Sequence, residues 1–163
     1  MRKILILNGA GKRNGNTAAL IKFFREGAEA AGHEIKEFFL QNMNIHGCLD
    51  CQGCARKPSG DPQPCVQKDD MQQVYDAYAE SDVVVFATPV YWFTVSGQLK
   101  LAVDRLYAIQ RNHGFDGAIH IIHMGSLSQH KYNSCEYAKG TLTIMRKQGI
   151  LMKKMRFRGN NNE

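Results

Sequence analysis

Residues 3–17 read KILILNGAGKRNGNT, and this stretch decides the fold. Ile4 to Leu7 form a short apolar run, as a strand buried on both faces requires. The run ends at Asn8-Gly9, and glycines recur at 9, 11 and 15. Residues 17–31 then place Ala18, Ile21, Phe24 and Ala28 on one helical face, with Gly32 as the terminating cap. A buried strand that passes through a glycine-rich turn into an amphipathic helix opens a βα unit.

Working outward, the alternation continues. Residues 34–40 predict a second strand. Residues 41–68 are irregular and hold three of the four prolines. Asp70 and Gln73 make a capping-box pattern for a helix that runs to residue 80. Residues 83–87, VVVFA, are the most apolar strand and belong at the centre of the sheet. Ser96 caps a helix over 97–111, with Leu99, Val103, Leu106 and Ile109 on one face. Residues 118–123 predict a fourth strand, 130–148 a fourth helix and 150–157 a fifth strand. Parallel neighbours need a crossover between them. The expectation is therefore an α/β doubly wound, five-stranded parallel sheet of order 2-1-3-4-5, forming a single domain over 1–163 without a last helix. Such sheets bind ligands at the carboxyl ends of strands 1 and 3, where the winding reverses.

Composition narrows the classes. The 163 residues are 44% hydrophobic and 22% charged, which excludes a disordered chain. No apolar run approaches the roughly 18–20 residues of a membrane span, and the apolar start is far shorter than the roughly 7–15 residues of a secretory signal core. These features predict a cytoplasmic protein with no membrane partner. Residues 1–145 carry 15 Lys/Arg against 14 Asp/Glu, whereas residues 146–163 carry 6 against 1. The formal charge of +6 is thus almost entirely a basic tail. A nucleic-acid binder spreads its basic face through the fold, so no nucleic-acid partner is expected.

The loop after strand 1 sets Lys12, Arg13, Asn16 and Thr17 among glycines at a helix start. Glycines let several N–H groups converge, and the helix N-terminus adds partial positive charge. This is chemistry for a phosphate, and the flanking cations exceed what a turn capped by Asn16 or Thr17 needs. No Gly-Lys-Ser/Thr ends the loop, and its third glycine is one residue late for the dinucleotide fingerprint. A mononucleotide phosphate fits best. After strand 3 comes Pro89-Val90-Tyr91-Trp92-Phe93, three consecutive aromatics including the single Trp. At a switch point these offer a stacking surface for a flat ring; inward packing or a subunit interface is the plainer reading.

Four of the five cysteines form Cys48-x2-Cys51-x2-Cys54-x10-Cys65. Clustered thiols in a chain without an export signal point to metal or redox chemistry: a [4Fe–4S] cluster, a zinc ion or redox-active thiols. Cys135 and the six histidines read as structural, and the pair Asp69-Asp70 reads as helix capping.

The segments NGAGKRNGNTAALI (8–21) and ATPVYWFTVSGQLKLAVDRL (87–106) resemble the flavodoxin-like NAD(P)H-dependent FMN reductases, in the branch that includes the iron–sulfur flavoproteins. The resemblance runs from residue 3 to about residue 157. It implies that Ala10, Lys12, Asn16 and Thr17 hold the FMN phosphate, although Ala10 stands where the family has a serine. It implies that Pro89, Val90, Tyr91, Trp92 and Phe93 line the isoalloxazine, and that Gly125, in the loop after strand 4, closes over the ring. In the iron–sulfur branch, a compact cysteine run with a shorter last gap holds a [4Fe–4S] cluster. The implied function is electron passage from NAD(P)H through FMN to a quinone, a free flavin or another small acceptor, by a homodimer or homotetramer. An electron carrier between protein partners is the alternative. The cysteine segment follows strand 2 and is expected beside the flavin edge, at the subunit interface.

Overall fold

A computed structural model describes residues 1–113 and 118–125, with side chains through residue 110. The elements are β1 (Lys3–Asn8), α1 (Asn16–Ala30), β2 (Glu34–Phe39), α2 (Met71–Ala79), β3 (Val83–Tyr91), β4 (Thr94–Val95), α3 (Gly97–Arg105), α4 (Tyr107–His113) and β5 (Ala118–Gly125). β1 pairs in parallel with β2 on one side and β3 on the other, and β3 pairs in parallel with β5. The parallel pairings run β2-β1-β3-β5, and the short β4 pairs antiparallel with β3, so the sheet is mixed where an all-parallel one was expected. The expected fifth strand (150–157), the helix at 130–148 and Cys135 lie outside the described residues.

Alternation along β1 and β3 divides the core between two faces. Ile4, Ile6, Val83, Val85 and Ala87 meet Ile21, Phe24 and Ala28 of α1. Leu5, Leu7 and Val84 meet Met71, Val74, Tyr75 and Tyr78 of α2 and Leu99, Ala102, Leu106 and Ile109 beyond them. Helices thus cover both faces of the sheet, and the winding reverses between β1 and β3. Each fully buried aliphatic side chain here contributes on the order of 1.5–3 kcal/mol.

Three local readings change. Residues 88–91 are not loop: β3 runs on to Tyr91, turns through Trp92 and Phe93, and returns as β4 with Val90 opposite Val95 and Tyr91 opposite Thr94. Backbone pairing extends the strand past the point where its apolar run ends. The helix after Ser96 breaks at Leu106, where the preceding carbonyl, Arg105 O, accepts the Tyr75 hydroxyl at 3.0 Å. Asp70 adjoins α2 without capping it through its side chain. Its carboxylate accepts the Asn44 amide at 2.7 Å, while Asp69 takes the Met71 amide at 3.1 Å.

Candidate functional site

The glycine loop and the aromatic hairpin meet at the reversal point. Val90 is paired to Gly125 on one edge and to Val95 on the other. β4 therefore occupies the edge of β3 that β1 holds up to Ala87, and the hairpin stands over the end of β1. Gly9 N–H donates to Ala87 O at 2.8 Å. A Cβ on Gly9 would lie 2.6 Å from Ser96 Oγ and 2.7 Å from Leu99 Cβ, so only glycine lets β1 approach the start of α3 this closely. Ser96 is buried, accepts the Leu99 amide at 3.3 Å as the expected cap, and donates its own amide to Thr88 Oγ1 at 2.9 Å. These bonds fasten the base of the hairpin. From it, the Tyr91 hydroxyl reaches 3.5 Å from the Cβ position of Gly11.

The glycine loop leads directly into α1. Gly15 is its N-cap and no side chain caps it, so neither Asn16 nor Thr17 plays that part. The first-turn amides therefore keep their hydrogen-bonding capacity and the positive end of the helix dipole. Lys12 and Asn16 are exposed and Thr17 is buried. Arg13 folds back over the Phe39 ring at 4.3 Å. Ala10 is buried and its amide donates to Asn8 Oδ1 at 3.0 Å. Asn8, which sequence reasoning passed over, also donates to Glu37, and Glu37 accepts Arg25 at 2.7 Å. A buried asparagine at a strand end is the signal that could have found this anchor.

On the hairpin, Pro89 is buried and Val90 partly so. Trp92 and Phe93 are 91% and 93% exposed, with φ of 47° and 66°. Two bulky residues in the left-handed region hold a turn that favours Asn-Gly. Backbone strain of this kind costs on the order of 1–3 kcal/mol per residue.

The cysteine segment is a separate structure. Residues 44–70 form a long loop closed at its neck: Asn44 and Asp70 exchange two bonds, the His46 amide donates to Asp69, and Gln67 donates to Gly47 O. Arg105 seals the neck from α3. Its guanidinium donates to both Asp69 oxygens, at 2.8 and 3.2 Å, and to His46 O at 2.9 Å. Burial alone would raise the Asp69 carboxyl; the bonds from Arg105 and from the His46 and Met71 amides overcome it and hold that carboxyl below its ordinary value. Nothing in the sequence pairs residue 69 with residue 105.

Cys48, Cys51, Cys54 and Cys65 all line one cavity of about 330 Å³, together with Asp104, Arg105 and Tyr107. Cys48 and Cys51 are exposed, and Cys54 and Cys65 are partly buried. Among the described residues, no three His, Cys, Asp or Glu side chains converge as a ready metal site. The cavity opens at the end of α3 opposite Ser96, roughly 13 Å along the helix. The cysteine loop thus reaches the far end of α3, away from the glycine loop of its own chain.

Residues 2–148 match the model of a family described as NADPH-dependent FMN reductase. An iron-sulfur flavoprotein of Methanocaldococcus jannaschii is 34% identical over 107 residues, 66% of this chain and 52% of that protein. The chain spans about half the length of the curated relatives it matches. An NAD(P)H:quinone oxidoreductase from Methanothermobacter marburgensis has a similar fold (TM-score 0.59, 18% identity, 90% of this chain and 74% of that one). So does an FMN-dependent NADH-azoreductase from Bacillus anthracis, solved with FMN (TM-score 0.55, 12% identity, 90% and 97%). At these identities the likeness carries the α/β flavodoxin-like fold alone. No described helix is long and apolar enough to cross a membrane.

Proposed function

Because the chain belongs to the NADPH-dependent FMN reductase family, we propose that it binds FMN and passes electrons from NAD(P)H to a quinone, a free flavin or another small acceptor. The observation that carries this reading is the approach of the Tyr91 hydroxyl to the glycine loop at Gly11, in the loop that leads into the uncapped α1 N-terminus. The glycine loop and helix amides fit a phosphate monoester, and Lys12 supplies its counter-charge. Lys12, Asn16 and Thr17 would hold the phosphate, with Ala10 shaping the loop through its bond to Asn8. Pro89, Val90, Tyr91, Trp92, Phe93 and Gly125 would border the ring. When bound, FMN supplies the hydride chemistry. The protein's residues anchor, orient and leave one ring face open, so no side chain is required as acid or base.

A second centre extends the proposal. Cys48, Cys51, Cys54 and Cys65 would ligate a [4Fe–4S] cluster, which supplies one-electron transfer when bound. Four thiols spread around one cavity favour a polynuclear occupant; a single zinc ion needs all sulfurs within about 2.3 Å of one point. The exposed Trp92 and Phe93 support a homodimer or homotetramer that covers them. A cytoplasmic setting, where thiols stay reduced, belongs to the same reading.

The test is the absorbance spectrum of the purified chain, followed by steady NADH or NADPH oxidation with added quinone. A flavin spectrum with turnover is expected. A colourless chain that takes up no added FMN overturns the reading, and flavin without turnover moves it to the electron carrier.

A further inference from the structure

The Arg105–Asp69 pair has a direction. Arg105 forms part of the wall of the cysteine cavity, and Asp69 does not. Both side chains are 1% exposed, so the pair is a buried dipole with its positive end on the cavity. Arg105 Nη1 and Nη2 are bound to Asp69 and to His46 O, but Nε is buried with no hydrogen-bond partner. Cys65 lines the same cavity as Arg105 and packs against the buried cluster that includes Tyr75. Tyr75 in turn donates its hydroxyl to Arg105 O at 3.0 Å. The acidic groups on the cavity are Asp50, which accepts from Gln52, and Asp104, which pairs with Lys100; both are exposed.

An orphaned donor on a fixed guanidinium needs an explanation, because a buried N–H without a partner is costly. We propose that Arg105 is a positioning residue whose guanidinium, braced by Asp69, gives the cavity wall at Cys65 a fixed positive potential, and thereby recruits Cys65 to an anionic occupant. This accounts for how a cysteine ten residues beyond Cys54 joins the Cys48-x2-Cys51-x2-Cys54 set. Outer partners of this kind orient metal ligands and tune the centre they hold. Positive potential at the ligand sulfur also favours the reduced state of a bound centre, which carries one more negative charge. The inference rests on the cluster reading for its use, and its first test does not.

That test compares alkylation of Cys65 by iodoacetate and by iodoacetamide in the 163-residue chain, reduced and freed of metal with a chelator, with peptides followed by mass spectrometry. Both reagents attack the same thiolate, so the ratio of their rates cancels its population and reports the field felt by the reagent's charge. The native ratio at Cys65 is expected to exceed the ratio in urea by about threefold or more. The double variant Asp69→Asn/Arg105→Met removes both charges and strands neither; it should return the ratio to the urea value, while Arg105→Lys keeps most of it. A native ratio equal to the urea ratio overturns the proposal without any variant. So does an unchanged ratio in a double variant that still unfolds cooperatively. In the chain reconstituted anaerobically with iron and sulfide, the double variant should have a lower midpoint potential than the parent, and an equal potential counts against the proposal. If the parent takes up no iron, the cluster reading falls and the alkylation ratio still decides the role of Arg105.

Discussion

Arg105 Nη1 lies 2.8 Å from Asp69 Oδ2 in a place closed to water. The two residues come from α3 and from the loop that carries the cysteines, 36 positions apart. Breaking a buried pair by removing one partner leaves an uncompensated charge, at about 3–5 kcal/mol. Asp69→Asn should therefore lower unfolding stability by about that much in urea titrations. Asp69→Asn/Arg105→Met should cost much less. Equal losses in the two variants would mean that the pair is not buried in solution.

The same pair sets an acid limb. The Asp69 carboxyl is held below its ordinary value of 3.8, so the unfolded chain takes up the proton first as pH falls. Its stabilisation is fully present above the unfolded value and is lost as pH falls through the folded one. Stability measured from about pH 6 down to about pH 3 should drop more steeply in the parent than in Asp69→Asn/Arg105→Met. Parallel curves would remove Asp69 as a source of that slope.

Gly9 is confined by Ser96 and Leu99, whose atoms lie 2.6 and 2.7 Å from where a Cβ would sit. Overpacking of this kind costs about 1–3 kcal/mol. Gly9→Ala should lower stability by that amount and weaken FMN as well, because the loop and the start of α3 are forced apart. Thermal unfolding with and without FMN measures both. Gly15→Ala, at a position with open space around it, is the contrasting variant.

If the loop and the α1 N-terminus hold a phosphate, riboflavin should bind far more weakly than FMN. A charge-assisted hydrogen bond is worth roughly 1.5–3 kcal/mol, so Lys12→Ala should weaken FMN about tenfold or more and leave riboflavin unchanged. Fluorescence titration of both flavins distinguishes this from general loss of fold. Equal affinities for FMN and riboflavin in the parent would defeat the assignment.

The left-handed Trp92 and Phe93 invite a trade between stability and binding. Replacing them by Asn-Gly relieves a strain on the order of 1–3 kcal/mol per residue and suits the two-residue turn. The variant should unfold at higher temperature and bind FMN less tightly. Tighter or unchanged FMN binding would show that the rings serve another purpose, such as a contact between copies.

Much of this protein is written locally. The apolar runs at 4–7 and 83–87 and the helical spacing of Ile21, Phe24 and Ala28 determined the winding, because burial on both faces needs continuous apolar strands and covering helices. The glycines and cations of 9–17 made a candidate phosphate loop by composition, and the cysteine spacing made a second candidate region. What the tertiary structure decided depends on partners distant in the chain. The extension of β3 through Tyr91 comes from pairing with Thr94 and Gly125's strand, which no apolar pattern records. The Ala10 amide is taken by Asn8, and Asn8 is held by Glu37 from β2. Asp69 reads as a helix cap in sequence, since short-range pattern is all that residues 69–73 display. It becomes half of a buried ion pair only because α3 carries Arg105 across the neck of the cysteine loop. Hydrophobic periodicity is a local property and survives in one dimension; a hydrogen bond between residues far apart in sequence leaves no period to read.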